Sequence, residues 1–211
     1  MDEHVILLHG IWMRGFTLAP FARRLRAQGF ASVETFDYAS VGASLDHAIE
    51  RLQSRIAAQG GAVHLVGHSL GGMVAVAAAA RRTDRRGGRV VCLGSPLLGS
   101  AAARGLGRVP VARRAMGRSA EVLASGFERW HGVGELGVIA GRTPLGLGRF
   151  VGALSGLHDG TVSVAETQLP GITDHCIVAA THSGLVFSDE VARLSAAFLR
   201  HGRFPAVQGR A

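Results

Sequence analysis

The stretch "AVHLVGHSLGGMVA", residues 62–75, decides how this 211-residue chain is read. Val63, Leu65 and Val66 belong to an apolar, β-branched run that suits a buried strand. From Leu70 the small-residue run "LGGMVAVAAAARR" (70–82) suits a helix packed closely on a sheet. Between them stands Gly67-His68-Ser69-Leu70-Gly71, a G-x-S-x-G sequence extended by Gly72. A serine at a sharp strand-to-helix turn has strained dihedrals. Side chains two residues to either side would collide there, and glycine removes them. The turn presents the hydroxyl at the carboxyl end of the sheet, where the first N–H groups of the helix and its positive dipole end converge. That arrangement stabilises a developing oxyanion. A glycine-rich turn with a capping serine would carry the same letters, so the flanking strand and helix, and the partners elsewhere, carry the weight.

Working outward, strand and helix patterns alternate. "HVILLHG" (4–10), "SVETFDY" (32–38), "AVHLVGH" (62–68), "RVVCLGS" (89–95), "LGVIAGR" (136–142) and "DHCIVAA" (174–180) read as six strands. "TLAPFARRLRAQG" (17–29) spaces Leu18, Phe21, Ala22 and Leu25 as a helix, and Gly29 stops it. "SLDHAIERLQSRIAAQGG" (44–61) places Leu45, Ile49, Leu52 and Ile56 on one face, with Ser44 as its expected cap. "FSDEVARLSAAFLRHG" (187–202) is the closing helix, capped by Ser188. Strands that read as continuous apolar runs and alternate with helices predict an α/β fold: a parallel sheet covered by helices on both faces. Residues 97–134 and 143–173 break the rhythm, and long irregular segments of this kind are often functional loops or lids. With no repeat and no linker, 1–211 reads as one domain, 97–134 being a cap or lid insertion.

Composition fits a globular protein, with 47% hydrophobic and 18% charged residues. No run is long enough for a membrane-spanning helix, and "MDEHVILLHG" lacks the basic start of a signal peptide, which predicts a cytoplasmic protein. Cys92 and Cys176 lie in apolar strands and read as buried free thiols. Every basic residue is Arg, and the net charge of +8 is matched by residues 81–134 alone. Without interleaved aromatics or a nucleic-acid signature, no nucleic-acid partner is expected; a solvated basic face or peripheral contact with an anionic membrane fits better.

The partners of Ser69 follow from chain order, nucleophile then acid then histidine. "LLHGIW" (7–12) follows the first strand, where such folds place a loop that lends one backbone N–H to the oxyanion. This assigns Ile11 and Leu70, each through its main chain. His9 reads as a loop-holding residue, because a better-placed base exists. His182 lies just past the last strand and before the closing helix, the position required of the base. Between the fifth strand and His182 the carboxylates are Asp159, Glu166 and Asp174. Asp159, in the polar turn "HDGTVSV", is the preferred acid, Glu166 the alternative, and Asp174 falls at the wrong end of the last strand. Trp12 and Met13 follow the oxyanion loop and are candidates for lining an acyl pocket.

On "HGIW", "GHSLGG", "DGTVSV" and "THSGL" the chain resembles the α/β-hydrolase superfamily. The likeness is to the lipase and esterase branch, which includes proteins similar to the inositol deacylases of GPI anchors. The resemblance implies carboxylic ester hydrolysis through an acyl-Ser69 intermediate, with His182 as base and Asp159 orienting it. It implies a compact version of the fold with about six strands, and neither a metal nor a cofactor. The amphipathic, Arg-rich segment 97–134, with Leu98, Leu106, Val111, Met116, Leu123 and Trp130, suggests a small-molecule or lipid ester with a fatty-acyl or phospholipid-like group. Acyl transfer on the same triad, or a non-catalytic binding role, are the alternatives. A retained Ser, Asp and His argues against the last.

Overall fold

The computed structural model describes residues 3–42, 44–82, 87–107, 110–145 and 154–206. The apolar runs become β1 (His4–Leu8), β2 (Ser32–Phe36), β3 (Val63–His68), β4 (Val90–Leu93), β5 (Leu136–Gly141) and β6 (Asp174–Val178). They form one sheet in the order β2-β1-β3-β4-β5-β6. Every pairing is parallel, with Leu8 opposite Gly67, His68 opposite Leu93 and Gly141 opposite Val178. The carboxyl ends of all the strands therefore share one edge, and each loop leaving a strand emerges there.

Parallel strands cannot be joined by tight turns, so helices cross back over the sheet. They are α1 (Ala19–Ala27), α2 (Leu45–Ala57), α3 (Leu70–Ala80) and α7 (Asp189–His201). Successive strand residues point to opposite faces. Ile6, Leu8, Leu65, Cys92 and Val138 pack with Leu52 of α2 and Met73 of α3. Val5, Leu7, Val66, Val91 and Ile139 pack with Phe21 and Leu25 of α1 and Phe198 of α7. Each such fully buried Leu, Ile or Phe contributes roughly 1.5–3 kcal/mol of transfer free energy. Cys92 and Cys176 are buried free thiols. Ser188 caps α7 by accepting from Val191 N at 3.3 Å. Ser44 makes no side-chain cap hydrogen bond, contrary to expectation.

The segment after β4 is more regular than its sequence suggested. Its described residues hold three short helices, α4 (Ala101–Gly107), α5 (Pro110–Met116) and α6 (Ser119–Ser125), packed on one another and on α3. Seven-residue helices carry little propensity signal and depend on tertiary packing, which explains why the Gly-, Ala- and Arg-rich text concealed them. Asp84, Arg85, Arg86 and Arg108 of the basic stretch, and 146–153 of the glycine-rich one, lie outside the described residues. Among the described residues no helix is long and apolar enough to cross a membrane.

Candidate active site

Ser69 stands between β3 and α3 with φ 54 and ψ −120, one of two non-glycine residues in the left-handed half of the map among the described residues. A conformation of this kind costs about 1–3 kcal/mol and persists only where the surroundings impose it. Here close packing imposes it. A Cβ on Gly67 would lie 2.4 Å from the main chain of Gly71 and Gly72, and one on Gly71 would lie 2.3 Å from Leu8 O. The glycines thus let α3 leave the strand at once and seat against the end of β1. Ser69 is 7% exposed. Leu70 opens α3, so its N–H has no intrahelical acceptor and is directed at the carboxyl edge.

The loop after β1 lies against this turn. A Cβ on Gly10 would be 3.3 Å from Ser69 Cβ and 3.2 Å from His68 Nδ1. His9 holds the loop rather than facing the serine. Its buried ring donates from Nδ1 to Gly10 O at 2.9 Å and accepts at Nε2 from Tyr38 N at 3.3 Å. Tyr38 stacks on it at 4.4 Å and donates its hydroxyl to His9 O at 2.7 Å. Burial pushes the His9 pKa down, in keeping with a neutral, structural imidazole. Trp12 N donates to Ser40 Oγ at 3.2 Å and Met13 N to Gly10 O at 3.3 Å, so the loop's other N–H groups near Ile11 are already engaged.

Asp159 and His182 meet at the same edge. His182 Nδ1 donates to Asp159 Oδ2 at 2.7 Å. Asp159 is 1% exposed, and its Oδ1 accepts from Thr161 N at 2.9 Å and Val162 N at 2.7 Å. The His182 main-chain N donates to Asp159 O at 2.9 Å, which ties the two loops together. The pair sits on Gly94 at the end of β4, where a Cβ would come within 3.0 Å of Asp159 Oδ2 and 3.2 Å of His182 Nδ1. The sequence reading did not single out that glycine, although its place immediately after a strand was a signal.

His68 joins the two halves of the site and was also passed over. Its Nε2 donates to His182 O at 3.0 Å, and its ring lies 4.7 Å from the His182 ring. Burial, and then the neighbouring His182, push its pKa down to about 3, so it is neutral. Since Nε2 faces a carbonyl, it carries the proton.

The other candidates separate by place. Glu166 lies away from His182: its carboxylate accepts from Ala101 N, at the start of α4, and from Ser163 N at 2.7 Å. It anchors the cap. Glu166→Gln is expected to lower stability by about 1–2 kcal/mol in urea denaturation while keeping more than about a tenth of the hydrolytic rate. A loss as deep as that of an Asp159 variant would overturn this division of labour. Asp174 accepts from His175 N and Phe204 N, each at 2.8 Å, at the amino end of β6. A pocket beside Ser69 is lined by Ile11 and Trp12 of the first loop, Thr161 and Val162 of the acid loop, and cap residues including Ala103, Leu106, Met116 and Leu123. Met13 is not part of that lining and packs on the α1–α7 side of the sheet instead.

Over residues 5–207 the chain matches the model of the alpha/beta hydrolase family. No curated protein matches it. Among solved structures, the mature form of the lipase BlEst2 from Bacillus licheniformis is 18% identical, with a TM-score of 0.74 over 93% of this chain and 90% of that one. The pyrethroid hydrolase PytH is 15% identical, with a TM-score of 0.63 over 95% of this chain and 98% of that one. The phospholipase PlaB from Legionella pneumophila is 16% identical, with a TM-score of 0.59 over 79% of this chain and 45% of that one. At these identities the likeness is one of fold. With the family model matched over nearly its whole length, the chain belongs to the alpha/beta hydrolase family.

Proposed function

We propose that this alpha/beta hydrolase cleaves carboxylic esters with Ser69 as nucleophile, His182 as general base and acid, and Asp159 as the residue that orients and stabilises the imidazole. The observation that carries the reading is the 2.7 Å hydrogen bond from His182 to the buried Asp159, at the sheet edge where Ser69 is held at positive φ. Asp159 fixes the proton on Nδ1, leaving Nε2 bare to accept the Ser69 proton. Among the described residues the His182 ring has Asp159 as its hydrogen-bond partner, and in this reading its Nε2 closes on Ser69 Oγ when substrate binds.

In this reading Ser69 Oγ attacks the ester carbonyl carbon while His182 takes its proton. The carbonyl oxygen becomes an oxyanion that accepts from Ile11 N–H and Leu70 N–H. His182 then returns the proton to the departing alcohol, which leaves acyl-Ser69. Water, deprotonated by His182, releases the acid and restores the serine. The apolar lining beside Ser69 supports an apolar acyl group, as does the similar fold of a lipase and a phospholipase. Exposed Val111, Arg104, Arg114 and Arg118 on the cap support transient contact with an anionic lipid surface. An alcohol in place of water would give acyl transfer, and product analysis with added alcohols separates the two outcomes.

The test is covalent labelling with a fluorophosphonate. The wild type is expected to label and to hydrolyse p-nitrophenyl acetate, and Ser69→Ala to do neither. Labelling that survives Ser69→Ala rejects the assignment.

A further inference from the structure

We propose that the pocket beside Ser69 is an acyl subsite for short, uncharged acyl groups, and that Met116 and Leu123 of the cap are the walls that set the length limit. The proposal rests on the ester-hydrolase reading above and deepens it.

The first loop supplies Ile11 and Trp12, the acid loop Thr161 and Val162, and the cap Ala103, Met116 and Leu123; among the described residues no ionisable side chain enters. Besides Ser69, the hydroxyls of the lining are those of Thr161 and Ser100, and Ser100 Oγ accepts from Ala103 N at 3.1 Å. A neutral hydrocarbon group is what such a lining accepts without leaving a buried polar group unpaired.

The pocket holds about 60 Å³. An apolar cavity of about 150 Å³ admits benzene. By that yardstick this pocket, which is partly open to solvent, takes about two or three carbon atoms beyond the carbonyl before a longer chain meets its walls or leaves it.

The cap is fastened in place, so the limit belongs to the fold. Trp12, held at φ 60 and 52% exposed, donates its indole Nε1–H to Ala115 O at 2.8 Å, the residue before Met116. Ser119 Oγ donates to Ser40 O, and Ser40 Oγ accepts from Trp12 N. Gly117, at φ 56, presses so closely on Val41 that a Cβ would stand 2.2 Å from its carbonyl oxygen. At the other end, Leu98 N donates to Glu166 O at 2.9 Å, and Ala101 N donates to the Glu166 carboxylate. The helices carrying Met116 and Leu123 are thus tied to Trp12 of the oxyanion loop and to Ser40 and Val41, and the start of α4, whose Ser100 N donates to Leu123 O at 2.7 Å, to the loop beyond Asp159. Met116 is 2% exposed and Leu123 6%.

The experiment measures kcat/KM for p-nitrophenyl acetate, propionate, butyrate, hexanoate and octanoate, each below its micelle-forming concentration. The wild type is expected to peak between acetate and butyrate and to fall at least about 10-fold by octanoate. Met116→Ala and Leu123→Ala are expected to raise the octanoate-to-acetate ratio at least about 10-fold. A wild-type peak at hexanoate or octanoate overturns the proposal, and so does a ratio that moves in neither variant. The wild-type profile decides the matter even if a variant does not fold. If no ester in the series is cleaved and Ser69 takes no fluorophosphonate label, the ester-hydrolase reading fails with it. A labelled Ser69 with a long-chain peak rejects the short subsite alone.

Discussion

Asp159→Asn is expected to lower the hydrolysis of p-nitrophenyl acetate by about 10⁴-fold while the protein stays folded. The surroundings of this carboxylate dictate the outcome. Its Oδ1 accepts two backbone N–H groups, from Thr161 and Val162, while Oδ2 faces His182 Nδ1. An asparagine here must keep its carbonyl oxygen against the two backbone donors, because an NH₂ group there would leave both unpaired in a buried site, a cost of roughly 1–3 kcal/mol each. Its NH₂ is thereby turned toward His182. The ring then accepts at Nδ1 and carries its proton on Nε2, the nitrogen needed to deprotonate Ser69. The side chain keeps its volume and its hydrogen bonds, so the melting temperature moves little while turnover collapses. Activity within about 10-fold of wild type, in a variant shown to be folded, would remove Asp159 from the proposed triad. Glu166→Gln is the matched control, with the opposite expected pattern of reduced stability and retained turnover.

The sequence and the structure agree most closely where one interaction dominates. Strands such as "HVILL" and "VVCL" are buried on both faces, so near-continuous apolar text leaves little doubt about element type, and the ends moved by only a residue or two. Ser69 was legible for a related reason: its glycines answer contacts within the same short stretch, and local constraints are written locally. His182 and Asp159 followed from chain order. What could not be read depends on contacts between distant segments. The indole of Trp12 reaches Ala115 across 103 positions, and Ala101 N meets Glu166 across 65. Neither pairing has a periodicity or a motif. A glutamate three residues after Ser163 carries no mark that separates a cap anchor from a catalytic acid. Met13, adjacent to Trp12, packs with the cluster under α1 and α7 and not in the pocket lining, and nothing in its immediate sequence marks that choice.

Stability is expected to fall steeply as the pH drops from about 6.5 to 4, with His68 as the largest single contributor. In the unfolded chain a histidine titrates near 6.5. In the fold the His68 pKa is pushed down to about 3, chiefly by burial, then by the neighbouring His182 ring, against smaller raising effects of the His182 carbonyl and the Asp159 carboxylate. Above pH 6.5 both states are neutral and the difference has no effect. Below it the unfolded chain takes up a proton that the native state refuses, so native stability declines with each unit and stops declining near pH 3. The loss is about 1.4 kcal/mol per pH unit, or roughly 3 kcal/mol between pH 6.5 and 4. His9 and His64 are also buried with lowered pKa values, and both act in the same direction. Urea midpoints measured at pH 7.5, 5.5 and 4.5 should descend in that order. In His68→Gln, whose amide can still donate to His182 O, the starting midpoint is expected to be lower and the descent shallower, because one group that drives it is gone. Equal midpoints at pH 7.5 and 4.5, or an unchanged slope in the variant, would show that His68 is not the acid-sensitive element. The geometry explains why such a residue is tolerated. The proton on Nε2 is the donor that holds the His182 loop, and a neutral ring beside His182 leaves the Asp159 carboxylate paired with a single imidazole.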